Sequence, residues 1–333
     1  MKILSSLLFV TLLGSQLSYG GSVWVSGDSP NSTAAGTASF AAGNSSNASG
    51  PYSFAFGTKV NVDANSPYSF AFGDAIEVTS PYTFTIPTTI SGTSSNQTIN
   101  SLAFGTAASV SNDYSLAFGY YTTALGRHSM AFGRGTLNAS SYTFLPTEAT
   151  GDYSFAFGSV ARAWGLYALA FGNNTYAHSS YSLAFGSGVN ALGTHSLAFG
   201  LSSSTTGNYS LSGGSSASAS GQSSTSLGEN TQAKGWGSAA LGINAVADAK
   251  TAFAMGNYVT ALYDNSLVIG QYNSNASFPT SAGTPVKTHA DRPLFVIGNG
   301  TGTSDPKNAF VVLANGDVII PKAQGDISMG EFQ

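Results

Sequence analysis

The sequence predicts an all-β protein, a parallel β-roll or solenoid of 14-residue coils with a small C-terminal β module. Three observations lead there. Gly172, Gly186, Gly200, Gly214, Gly228, Gly242, Gly256 and Gly270 fall 14 residues apart, and a fixed period of this kind means one structural coil per copy. In each copy the residues three and one before the glycine are large and apolar, as in Leu183 and Phe185 or Leu197 and Phe199; two apart, they share one face of a strand. The rest of each copy has space for a turn, a second short strand and a further turn, and none for a helix.

Small residues such as Ser182 and Ala184 leave the other face of the first strand nearly flat, a row expected to admit close approach by another chain while the large residues turn inward. Val189 and Ala191, Ala245 and Ala247, and Val259 and Ala261 stand three and five after the glycine and form one face of the second strand. Gly165, Gly193, Gly207, Gly221 and Gly235 mark a turn where positive φ is expected, because glycine adopts it without steric cost.

Residues 1–20 read as a secretory signal peptide: Lys2, the apolar run Ile3 to Leu13, and the small-x-small site Ser18-Tyr19-Gly20. The run is too short to span a bilayer comfortably, so the mature chain is expected to carry no transmembrane segment. Its expected place is the cell surface, associated with the outer membrane, or the extracellular space. Residues 21–37 are expected as an N-terminal cap or loose segment and 38–270 as the repeats. The first units close at Gly43 and Gly57. The next steps are irregular, with Gly73 followed by a copy ending at Pro87 and an extra loop at Ser91 to Thr98. Gly105, Gly119 and Gly133 restore the period, and a second proline-bearing copy, Tyr142 to Pro146, precedes Gly158. Proline lacks a ladder donor, so both irregular coils are expected to break their ladders. Residues 271–292 form a polar linker, 293–321 a small β-hairpin module around Asn315-Gly316, and 322–333 a polar tail. Neither a heptad seam nor a terminal set of amphipathic barrel strands is visible, which leaves the mode of surface retention open.

The chain has 333 residues, no cysteine, 8% charged residues and a net charge of −4. So few cations exclude a nucleic-acid partner, which phosphate contacts would require. Without disulfides, stability has to come from packing and association. Ordering a 14-residue coil costs on the order of 14 to 28 kcal/mol of backbone entropy, and two large side chains return about 1.5 to 3 kcal/mol each if buried. Stacking and chain association are expected to supply the remainder, with cyclic symmetry bringing identical rows together.

No catalytic, cofactor-binding or metal-binding residues are expected. His128 and His195 occupy a slot that is tyrosine elsewhere, no nucleophile motif accompanies the many serines, and neither a calcium nonapeptide nor a phosphate loop is present. That slot is the remaining sharp feature. Tyr52, Tyr68, Tyr114, Tyr153, Tyr167, Tyr181 and Tyr209, with Tyr82 and Tyr142 in the irregular copies, lie five residues before the closing position. They are expected at the strand start as a ladder, serving either cross-coil packing or an amphipathic contact strip for protein or glycan.

The units Tyr181-Ser182-Leu183-Ala184-Phe185-Gly186 and Asn265-Ser266-Leu267-Val268-Ile269-Gly270 resemble the 14-residue head repeats of the YadA-like trimeric autotransporter adhesins. The resemblance implies a left-handed β-roll, a homotrimer, and a non-enzymatic role in binding extracellular matrix protein, glycan or another cell surface. A structural surface or matrix fibre with no ligand of its own is the alternative. Ice binding is disfavoured, because Thr-x-Thr ladders do not recur on one face.

Overall fold

A computed structural model of the chain describes residues 23–24, 32–74, 77–78, 81, 84–89, 101–138, 140, 143–275 and 292–320. The expected signal peptide, the Ser91 to Thr98 loop, most of the 271–292 linker, the 322–333 tail, Tyr82 and Tyr142 lie outside them. The described residues are all β-strand, turn and irregular backbone, with no helix. The chain divides into two compact units, residues 1–172 and 173–333, and each is a parallel β-solenoid.

A coil in the second unit consists of a five-residue strand such as Leu183–Ser187, a corner, a two-residue strand such as Asn190–Ala191, and a turn. Successive long strands pair in parallel and in strict register: Leu183 lies beside Leu197, Phe185 beside Phe199 and Gly186 beside Gly200. The short strands form a second ladder in the same way, Asn190 beside Ser204 and Ala191 beside Thr205. The 14-residue period of the sequence is therefore the rung spacing of both ladders. Residues 293–320 extend the long-strand sheet and then reverse it. Pro293–Asn299 runs parallel to Leu267–Gln271 and antiparallel to Asn308–Leu313, which pairs antiparallel with Val318–Ile319.

The first unit follows the same plan from Phe40–Asn44 onward. Stacking begins ahead of residue 38: Val23–Trp24 pairs with the Phe40 strand, and Thr33–Ala34 pairs with Asn47–Ala48. The two proline copies behave differently from each other. At Pro87 the ladder is interrupted as expected. Phe84–Thr89 shares only Phe84 and Thr85 with the preceding long strand and shifts register against the following one. The copy ending at Pro146 breaks nothing, contrary to expectation. Thr143–Leu145 leaves the stack and pairs antiparallel with Thr136–Asn138, so Met130 pairs directly with Phe155.

The inside and the outside of the coil are the reverse of what residue size suggests. Ala184, between Leu183 and Phe185, is 0% exposed, whereas Phe157 in an equivalent outer row is 51% exposed. The interior is built of Ala, Ser, Thr and Val. In the first unit it includes Ala41, Ala55, Val60, Val62 and Ala71; in the second, Ala240, Ala247, Ala254, Val259 and Val268, continued into the C-terminal module by Val296, Val311 and Leu313. A coil closed by strands of five and two residues is too narrow for aromatic rings inside. Facing sheets that interdigitate large side chains lie about 10 Å apart. The residues three and five after the repeat glycine do point inward as expected, with Val189, Ala191, Ala245 and Ala247 fully buried.

Candidate functional site

Each coil turns on a four-residue corner, and in many coils that corner places an aromatic ring on the surface. In Gly193-Thr194-His195-Ser196 the third residue has φ of +55°, the backbone sign pattern of a type II turn. The same slot holds Tyr181 at +57° and Tyr209 at +58°. These side chains thus stand on a left-handed turn and not at a strand start. Pro51 and Pro67 precede Tyr52 and Tyr68 at the turn position proline favours. The fourth residue locks the corner from inside. Ser196 Oγ donates to the Gly193 carbonyl at 2.6 Å, Ser210 to Gly207 at 2.5 Å and Ser129 to Gly126 at 2.6 Å. Serine is chosen here for its hydrogen bond as well as its size.

Gly193 has no positive φ, contrary to the expectation for its row. It is glycine because a Cβ would collide with the carbonyl oxygen of Gly207 one coil on. Positive φ belongs instead to the repeat glycine, +131° at Gly186. There a side chain would meet both a disallowed backbone region and the Gly200 carbonyl.

Left-handed backbone costs an ordinary L-residue roughly 1 to 2 kcal/mol, and ring stacking offsets it by about 0.5 to 1.5 kcal/mol per pair. The rings lie flat on one another. Tyr52 and Tyr68 are 4.9 Å apart at 6°. In the first unit Tyr114, His128, Tyr153 and Tyr167 form one stack with centroid spacings of 4.8, 4.8 and 4.9 Å. In the second unit Tyr181, His195 and Tyr209 form another, at 4.7 and 5.1 Å. All seven tyrosines expected in the ladder are exposed, and the two histidines are members of it. The corner two residues after the repeat glycine is also left-handed and carries a second ladder, Tyr258 on Tyr272 at 4.9 Å. Its residue types are too mixed, Lys59, Val160, Ser202 and Asn230 among them, for the sequence to announce it.

The outer face of the long strands is a second surface. Phe40, Phe54, Phe70 and Phe84 stack at 4.5, 4.8 and 5.0 Å. In the second unit Leu241, Ile243 and Met255 line an apolar groove beside Gly242, Gly256 and Gly270.

Residues 34–59, 99–122, 111–136, 163–188, 191–217, 219–238 and 237–258 match the family model of the YadA head domain repeat. Residues 34–258 are a YadA-like head. No curated protein matches the chain. The family places this YadA-like head among adhesin-type surface proteins, whose β-solenoid fold is typical of non-enzymatic binding domains.

The YadA-like head carries short charge pairs. Arg162 faces Glu148, which also accepts a hydrogen bond from Trp164 Nε1 at 3.0 Å. Lys234 pairs with Asp248 at 3.1 Å, while Lys250 lies over the ring of Trp236 at 5.3 Å from its centroid. In the C-terminal module, hydrogen bonds from Lys307 and Thr301 hold the exposed Asp305 carboxyl below its ordinary value of 3.8. Among the described residues no group of three or more His, Asp and Glu side chains could hold a metal ion, and no helix is long and apolar enough to cross a membrane.

Proposed function

We propose that this chain is the head of an exported, cell-surface homotrimeric adhesin that binds matrix protein, glycan or another cell without catalysing a reaction. The observation behind this reading is the inverted coil: alanine and serine fill the interior, and the phenylalanines, leucines and tyrosines stand outside in ladders. Nothing about the stability of a single coil requires those rows to be apolar. An apolar outer face of stacked Phe rings suits contact with sister chains, since rotational symmetry brings identical rows into register. The tyrosine ladder suits contact with a ligand, because an exposed phenol offers apolar area and a hydrogen-bonding hydroxyl together.

The test has two arms. Light scattering of the purified full chain reads the oligomer. Three-fold mass is expected, and Phe118→Ser with Phe157→Ser is expected to lower it; a monomeric parent chain refutes the trimer. Adhesion of beads coated with the full chain to matrix proteins, mucins and cultured cells reads the binding role, with Tyr114→Ala and Tyr181→Ala as variants. Weaker adhesion at unchanged melting temperature supports a contact strip. Lower melting with unchanged adhesion assigns the ladder to packing, and adhesion to none of the surfaces favours a structural fibre.

A further inference from the structure

The tyrosine ladder of the second unit stops abruptly, and its end is a ring face. The row of left-handed corners continues from Tyr209 through Ser223, Gly237, Thr251 and Asn265. Backbone bonds from Ser223 N to Asn208 O and from Gly237 N to Gln222 O, both 2.8 Å, keep those corners in register. Side chains large enough to continue the stack are missing at the next two positions. Tyr209 stacks on His195 on one side only, and it is 60% exposed. Since the ring planes of this stack are 8° and 12° from parallel, the free face of Tyr209 looks along the row over Ser223 and Gly237.

Two coils on from Tyr209, in the neighbouring column of Asn208 and Gln222, stands Trp236, itself 50% exposed, with Lys250 of the following coil over one face of its indole. The floor between the two aromatic groups is small and polar, with exposed Gln222 and Ser223. Asn208 fixes its Oδ1 on Thr194 N at 3.0 Å, which orients its Nδ2 as a donor beside Tyr209. A flat aromatic face with an open corner beyond it, a second exposed ring in the neighbouring column, and amide and hydroxyl groups at the rim match the alternation of apolar C–H faces and equatorial hydroxyls on a pyranose. Lys250 is engaged on Trp236, so the recess carries no free charge of its own.

We propose that the recess beyond the free face of Tyr209, over Ser223, binds a neutral saccharide, one sugar ring taking the place the next tyrosine would occupy in the ladder. The proposal rests on the adhesin reading in naming the ligand class of the head.

The full chain is titrated with cellohexaose, chitohexaose, laminarihexaose and maltohexaose, and binding is read by saturation-transfer NMR and Trp fluorescence. At least one probe is expected to bind saturably. Tyr209→Ala is expected to weaken it about tenfold, the upper range of one aromatic stacking contact, whereas Tyr209→Phe keeps it within about twofold. Ser223→Tyr is the decisive variant. Its φ of +55° matches that of the tyrosine corners, so the new ring extends the ladder and closes the free face. Binding is expected to vanish while the melting temperature holds or rises. If no probe binds, or binding survives both Tyr209→Ala and Ser223→Tyr, the proposal is overturned. Adhesion of the same variants to cells separates this from the broader reading: adhesion that persists without saccharide binding removes the recess and leaves the adhesin, and saccharide binding without adhesion does the reverse.

Discussion

The hydroxyl of Ser196 donates to the carbonyl of Gly193 at 2.6 Å and accepts from Thr205 Oγ1 at 3.0 Å, inside a coil where every neighbour is small. One side chain thereby closes the turn and ties it to the short strand. Ser196→Ala is expected to cost about 1 kcal/mol, the worth of a neutral buried hydrogen bond, because Ala168 and Ala252 already occupy the equivalent position in other coils. Ser196→Leu is expected to cost several times more, since overpacking a tight interior adds roughly 1 to 3 kcal/mol and moves backbone. Urea unfolding of the two variants measures the difference, and equal losses would contradict the narrow interior.

Two glycines two residues apart should respond in opposite degrees. Gly186 has φ of +131°, and an added Cβ would strike the Gly200 carbonyl; Gly188 has φ of +66°, and the nearest atom to its added Cβ is Ser202 Oγ at 3.4 Å. Gly188→Ala is expected to cost about 1 kcal/mol, the ordinary cost of left-handed backbone. Gly186→Ala is expected to disrupt the coil, with loss of amide-exchange protection from Leu183 to Leu201. Comparable exchange patterns in the two variants would refute the close approach of the glycine column.

Asn273 closes the short-strand ladder. Its Oδ1 accepts from Thr260 N at 2.7 Å and its Nδ2 donates to Thr260 O at 3.0 Å, replacing with a side-chain amide the peptide of a missing next rung. Asn273→Ala leaves both Thr260 groups without their partner, a loss of about 1 to 3 kcal/mol locally, and Asn273→Asp removes the donor alone. Faster hydrogen exchange at Thr260 is the expected readout, largest for Ala; an unchanged rate would mean that the amide seals nothing.

Asp305 predicts a small acid-sensitive contribution in the C-terminal module. Thr301 and Lys307 hydrogen-bond its carboxylate and lower its pKa. A depressed folded value means the contribution is present above the unfolded value of about 3.9 and is lost as pH falls through the folded one. The Asp305 carboxyl followed by NMR is expected to titrate below 3.8, and Lys307→Met is expected to raise its midpoint. A midpoint insensitive to Lys307→Met would remove lysine as the cause.

The period, the two strands of each coil and the glycine column were legible because they rest on the backbone, and backbone geometry repeats with the chain. The direction of the side chains was not. Leu183 and Phe185 share a face, as their spacing requires, but size suggested that this face is the core, whereas the short coil leaves space for Ala184 alone. A serine before a long strand, such as Ser196, reads as a merely small residue, since its hydrogen bond to a carbonyl three residues back is invisible until the turn is known. The tyrosine ladder was readable by position, and His128 and His195 by substitution into it. Its left-handed corner was hidden because tyrosine is an unusual residue for positive φ. The recess at Ser223 shows in the sequence only as a missing tyrosine and becomes a place for a ligand once neighbouring corners are known to lie one rung apart.

An interior of methyl groups and hydroxyls also governs how such a chain can diversify. The alanines and serines that fill the coil and the large side chains that meet the outside stand in separate rows, so drift in the outer rows leaves the filling untouched. A lineage could recolour the outer rows coil by coil, keeping the alanine spine as an unchanging frame.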